Sequence, residues 1–109
     1  MKNGKKTSAK TPKQFERYFK GVSNHRRVKI IQLIERRRGI TVDEIAESCD
    51  GNFKTISEHL RKLVIAGLVN KKYCGRRVCH ELSPYGQKFT EFMRTFTSKT
   101  DQGGKLNTK

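Results

Sequence analysis

One stretch restricts the fold of this sequence more than any other: Asn52 to Leu82, NFKTISEHLRKLVIAGLVNKKYCGRRVCHEL. Phe53, Ile56, Leu60, Leu63 and Val64 recur at the helical spacing that lines one face, so they are assigned to a core. Lys54, Thr55, Ser57, Glu58, Arg61 and Lys62 fall off that stripe, leaving a polar face free to touch something else. Asn52 fits the N-cap, the preceding Asp50-Gly51 fits a turn, and Gly67 stands where a helix stop in the left-handed region is wanted. Leu68, Val69 and Tyr73, then Val78 and Leu82, predict two short strands around Cys74-Gly75-Arg76-Arg77, with Cys74-Gly75 as the two-residue turn. In that register Cys79 lies across from Asn70, well away from Cys74.

The flanking chain is helical by the same criteria. Thr11-Pro12 is a helix start, and Phe15, Tyr18, Phe19 and Val22 form an apolar stripe behind it, from Lys13 to Val22. A second helix runs through Val28, Ile30, Ile31, Leu33 and Ile34 and ends on Arg36-Arg37-Arg38, a charge that suits the helix dipole. Thr41 and Glu44 have capping-box spacing, with Val42, Ile45, Ala46 and Cys49 as the inner face of a short helix. Ser83-Pro84 opens a last helix carrying Tyr85, Phe89, Phe92, Met93 and Phe96. The expected class is mainly α with a small β-hairpin, in the order α-α-α-α-β-β-α. Two helices joined by a tight glycine turn and followed by a hairpin make a winged helix-turn-helix. Residues 1–12 are expected to be a disordered basic arm, either a solvated tail or a segment that follows phosphates. Residues 13–97 are the folded domain and 98–109 a disordered tail.

Charge points to the partner. Lys and Arg number 25 against 10 acidic residues, a formal charge of +15. A domain this small carries such a charge most easily beside a polyanion, nucleic acid first. No segment approaches the roughly 20 apolar residues of a membrane span and no signal-peptide pattern opens the chain, so a soluble, cytoplasmic, nucleoid-associated protein with no membrane partner is expected. Cys49, Cys74 and Cys79 lack disulfide-framework spacing, which fits a reducing compartment and free thiols.

The segments HRRVKIIQLI, TVDEIAE, KTISEHLRKLVIAGLV and GRRVCHELSPYG together resemble the ArsR/SmtB family of winged helix-turn-helix regulators, over about Phe19 to Phe96. The resemblance implies a homodimeric transcriptional repressor on double-stranded DNA, with the helix in the major groove and the wing on flanking backbone or minor groove. Carried over by position, Lys54, Thr55, Ser57, Glu58, His59 and Arg61 become DNA-facing candidates, with Arg76 and Arg77 at the wing. Arg61 has the donors for a guanine edge and Glu58 can accept from a cytosine amine, whereas Lys54, Arg76 and Arg77 suit phosphates. Glu58 and Lys62 are equally an i, i+4 ion pair. His59 has two readings as well, packing at the edge of the stripe or touching the DNA backbone. Phe15, Tyr18, Phe19, Phe89, Phe92 and Phe96 have two readings, some of them packing back on their own domain or the set forming a dimer interface of terminal helices, as the family uses them; they exceed what so small a domain readily buries, which favours the interface.

Metal-responsive members of the family carry paired cysteines in the helix before the recognition helix, or Asp and His ligands on the last one. Here Thr41, Val42 and Asp43 stand where the cysteine pair would fall, and the last helix holds no histidine, so neither a metal nor a cofactor is expected. The wing cysteines are either ordinary thiols or redox-active ones near arginines; the effector, small molecule or redox, is not specified. An enzyme is not expected: there is no paired carboxylate, matched nucleophile and base, or phosphate-binding glycine loop. Ser57 and His59, two apart on a helix, point about 200° from each other. The competing function is a non-specific architectural or chromatin-associated binder, which the charge alone would support. An RNA-binding winged helix is a third, without an aromatic platform in its favour.

Overall fold

The structure, a computed structural model, describes residues 9–49 and 51–96. Most of the expected arm, the tail beyond Phe96, and Asp50 of the expected turn lie outside the described residues. The elements run α1 (Pro12–Val22), α2 (His25–Arg36), β1 (Ile40–Thr41), α3 (Val42–Ser48), α4 (Phe53–Ile65), β2 (Val69–Cys74), β3 (Arg77–Leu82) and α5 (Pro84–Thr95).

Local chemistry sets the helix starts. Thr11 and Thr41 each head a complete capping box, with Gln14 and Glu44 reaching back to the cap amide. Asn24 Oδ1 accepts from the Arg26 and Arg27 amides, and Asn52 Oδ1 from those of Lys54 and Thr55. Each such cap contributes about 1 kcal/mol by satisfying amides that the first helical turn leaves without partners. Gly67, at φ 86°, stops α4 in the left-handed region. Ser83 then ties the next junction: its hydroxyl donates to the Gly67 carbonyl at 2.6 Å and accepts from the Gly86 amide at 3.1 Å.

The core is one cluster. Ile30, Ile31 and Ile34 of α2, Ile45 of α3, Ile56 and Leu63 of α4, and Leu68 and Val69 are essentially removed from water. Fully burying an aliphatic side chain of this size contributes roughly 1.5–3 kcal/mol, so the α2–α3–α4 contact carries much of the domain's stability. Gly21 and Gly86 mark the closest approaches. A Cβ on Gly21 would overlap the Ala66 Cβ where α1 crosses α4, and one on Gly86 would strike the Leu68 carbonyl oxygen under α5.

Several expectations are corrected here. The sheet has three antiparallel strands in the order β1-β3-β2, not a hairpin alone, because Ile40 and Thr41 pair with His80 and Cys79. The wing turn is Gly75-Arg76, with Gly75 at φ 70°, so the register shifts: Cys74 pairs with Arg77 and Cys79 with Lys72 rather than Asn70. Phe53, expected in the core, is 53% exposed because it is the first residue of α4 and projects past the end of the packed stripe. Lys10, expected in the arm, sits over the rings of Tyr18 and Tyr85 at 5.5 and 4.6 Å from their centroids.

Candidate nucleic-acid interface

Helix α4 is divided as its sequence predicts. Ile56, Leu60 and Leu63 are buried, and Lys54, Thr55, Glu58 and Arg61 are exposed on the other side, with Ser57 half-buried beside them. These five thus share one solvent-facing surface on a helix anchored through its opposite face. Within that surface Arg61 meets Glu58 through two hydrogen bonds, at 2.6 and 3.2 Å, while Lys62 approaches the same carboxylate only to 4.0 Å. The Arg61 contact holds the Glu58 carboxyl below the usual carboxylate range, so Glu58 is an acceptor and not a donor at neutral pH.

His59 is placed apart from this row. It is half-buried, and the arginines at the start of α2, Arg27 and Arg26, together with burial push its imidazole below the ordinary range. Burial is the largest cause. Its Nδ1 and the Arg27 Nε are buried with no hydrogen-bond partner among the described residues.

In the wing, Arg76 and Arg77 are exposed at the turn between β2 and β3. Arg77 is tethered: its guanidinium donates to the Glu44 carboxylate at 3.3 Å, the same residue that closes the α3 capping box. A second wing network joins Glu81 to Arg38 and Lys72, both at 3.2 Å, and pulls the Glu81 carboxyl below the usual range. The hairpin is therefore fastened to the helix-turn-helix by charge as well as by β1. This Glu44–Arg77 link was missed in the sequence, where the two residues are far apart and carry separate assignments.

The aromatic residues separate into two sets. Tyr18 is 7% exposed and packs within its own chain against Tyr85. Phe15, Phe19, Phe92 and Phe96 are each about half exposed or more, from 48% to 56%, and Phe89 is partly buried with its ring edge-on to Phe19. Phe15, Phe19, Phe89 and Phe92 line an apolar groove of about 470 Å³ between α1 and α5. Among the described residues no group of three or more His, Cys, Asp or Glu is placed to hold a metal ion, and no helix is long and apolar enough to cross a membrane.

A helix-turn-helix of α3 and α4 followed by a β-hairpin wing defines the class: a winged helix-turn-helix protein. Residues 24–71 match the family described as "Bacterial regulatory protein, arsR family". The chain's fold is shared by the homodimeric winged helix-turn-helix DNA-binding domain Mb0332 of Mycobacterium bovis, a possible ArsR-family regulator, at TM-score 0.73 and 24% identity over 83% of this chain and 84% of that one. HlyU from Vibrio cholerae is similar at TM-score 0.71 and 23% identity, over 79% of this chain and 95% of that one. The transcriptional repressor PagR of Bacillus anthracis follows at 0.68 and 16%, over 74% and 93%. No protein of curated function matches the chain in sequence. The matched family model and the solved structures that share this fold are described as regulatory proteins.

Proposed function

We propose that the protein is a homodimeric repressor that recognises a specific sequence in double-stranded DNA without a metal effector. The observation that carries this reading is the row of exposed Lys54, Thr55, Glu58 and Arg61 with half-buried Ser57 on a helix whose other face is core. Rigid presentation of hydrogen-bonding side chains is what major-groove reading requires. Arg61 and Glu58 are the base-reading candidates, and Lys54, Arg76 and Arg77 are placed on phosphates. His59 acts from behind the row, as packing or as a backbone contact.

The exposed phenylalanines of α1 and α5 support a two-fold dimer, and the similar Mycobacterium domain is itself homodimeric. Dimerisation sets two recognition helices at a fixed spacing, so the operator is pseudo-palindromic. Repression is supported by the likeness to PagR, a repressor. Neither a cysteine pair at Thr41–Asp43 nor a histidine on α5 is available as a ligand set, and the site of action is the cytoplasmic nucleoid.

A second reading, non-specific binding as an architectural protein, is favoured by the formal charge of +15. Titration of genomic fragments at physiological salt distinguishes the two: a repressor retains a few fragments against excess bulk DNA, whereas uniform retention of all fragments would sink the specific reading.

A further inference from the structure

The wing hairpin brings two of the three cysteines together. In the observed register Cys74 faces Arg77 and Cys79 faces Lys72, so the two cysteines are diagonal neighbours on one face of the β2–β3 ladder. Their settings differ. Cys74 is exposed at the end of the outer strand, next to the Gly75-Arg76 turn, whereas Cys79 is 7% exposed in the central strand, paired on its other side with Thr41, the cap of α3. Cys49 belongs to the helix-turn-helix and packs against the core.

We propose that Cys74 and Cys79 form a peroxide-reactive thiol pair that closes an intrachain disulfide across the wing. Cys74 is the attacking thiol because it is the accessible one. It loses its proton, and the thiolate sulfur displaces one oxygen of hydrogen peroxide, giving a sulfenic acid and, with that proton, one water. The Cys79 sulfur then attacks the Cys74 sulfur and expels hydroxide, which leaves with the Cys79 proton as the second water. Two thiols and one peroxide become one disulfide and two waters, and the two electrons lost by sulfur reduce the O–O bond.

The chemistry of Cys79 agrees with this division of labour. Contact with the Cys74 thiol raises the Cys79 thiol most, burial and the Glu44 carboxylate raise it further, and Arg77 opposes them. A raised thiol is the poorer nucleophile of the two, which leaves the first reaction with peroxide to the exposed Cys74.

Diagonal positions of an antiparallel ladder stand about 7–8 Å apart, whereas disulfide-linked Cα atoms are usually closer, about 4.4–6.8 Å. Closing the bridge therefore coils the hairpin more tightly about the turn at Gly75, which lies between the two cysteines at positive φ. Arg76 sits in that turn and moves with it. An effect on DNA binding follows, and this consequence rests on the reading of the wing as a phosphate contact.

The full chain should be treated with equimolar hydrogen peroxide, quenched and digested with trypsin. Cleavage after Lys72, Arg76, Arg77 and Lys88 puts Cys74 in peptide 73–76 and Cys79 in peptide 78–88, with Cys49 in a third. The expected product is a dithiothreitol-sensitive 73–76/78–88 cross-link, with the thiols titrated in denaturant falling from three to one. C74S, a change at an exposed position, should keep its remaining thiols and yield no cross-link. Sulfinic or sulfonic acid at Cys74 beside a free Cys79, a Cys74–Cys74 link between chains, or no reaction at all would each overturn the pairing. Operator affinity should fall about tenfold on oxidation, the size of one lost charge-assisted contact, and recover on reduction. A cross-link with unchanged affinity would overturn the coupling to DNA. Absence of DNA binding by the reduced protein would count instead against the proposed function.

Discussion

Arg61 and Glu58 form a two-point ion pair on the exposed face of α4, Nη2 to Oε2 at 2.6 Å and Nε to Oε1 at 3.2 Å. Both side chains are about half exposed, so the pair contributes only about 0.2–1 kcal/mol and is screened by salt. A bidentate contact between Arg61 and a guanine edge discriminates by about 1–3 kcal/mol, enough to draw the guanidinium away from the carboxylate. In the free protein Glu58 keeps Arg61 ordered and masks its charge. Arg61→Ala is therefore expected to lower the preference for operator over bulk DNA by roughly one order of magnitude, about 1.4 kcal/mol. Glu58→Ala is expected to strengthen binding to bulk duplex, because a masked cation becomes available to any phosphate, and to relax preference at the base that Glu58 reads. Competition binding against unrelated duplex checks both, and equal losses on every sequence for Arg61→Ala would place this residue on the backbone.

The wing arginines make a different prediction. A phosphate contact contributes about 0.9 to the slope of log affinity against log salt. Arg76 is the less restrained of the two, since Arg77 is shared with Glu44 at 3.3 Å. Replacing Arg76 by Ala should flatten the salt slope by about 1 and weaken all sequences alike, with a smaller change for Arg77→Ala. Binding isotherms at several salt concentrations measure this directly. A change of sequence preference with no change of slope would remove the wing from the backbone.

Phe92 and Phe96 stack edge to face, 5.1 Å between centroids, and both remain more than half exposed. The pair thus continues the apolar surface of α1 and α5. Replacing both by Gln should give monomers in sedimentation with the helical circular dichroism preserved, because neither side chain belongs to the protomer core. A dimer of unchanged stability would place the interface elsewhere.

His80 supplies the pH dependence. It is buried, with Nδ1 against the Ile40 carbonyl at 3.1 Å, and burial, the dominant cause, holds its imidazole below the ordinary range; nearby Lys71 adds to this, and the Ile40 contact opposes it. The unfolded chain therefore binds the proton more readily. Stability should be level above the unfolded value of about 6.5 and fall as pH drops below it, toward the depressed folded value. His59, also lowered, acts with the same sign. The carboxylates held down by Arg and Lys partners lose their contribution in a separate, more acidic window. Denaturant midpoints measured from pH 8 to pH 5 should fall with acid in the parent and fall less in His80→Asn. Parallel curves for the two proteins would exclude His80 as the source.

The parts of this fold that were legible in the sequence are those set by local chemistry. Thr11 with Pro12, Thr41 with Glu44, Asn52, Gly67 and Ser83 with Pro84 each place a helix end by a contact within a few residues, and each does so here. Strand β1 was not legible, because its two residues are fixed by partners about 40 positions away. The wing turn slipped by one because Gly75 supplies a positive φ at either position of a two-residue turn, and the choice lies with the whole ladder. That slip concealed the proximity of Cys74 and Cys79. Tyr18 and Phe19 are adjacent on one amphipathic helix, and which of them turns inward depends on how closely α1 crosses α4 at Gly21 and Ala66. The choice of Arg61 over Lys62 as the partner of Glu58 depends on side-chain geometry, which spacing leaves open.

Selection of bound sites from random duplex DNA at physiological salt tests the central claim, that α4 presents a sequence-reading surface in a two-fold dimer. The expected result is one enriched pseudo-palindrome, its half-sites about one helical turn or a multiple apart, with base preference relaxed at one position of each half-site when Arg61→Ala is used. Enrichment of no sequence, or of single half-sites by a protein that sediments as a monomer, would contradict it.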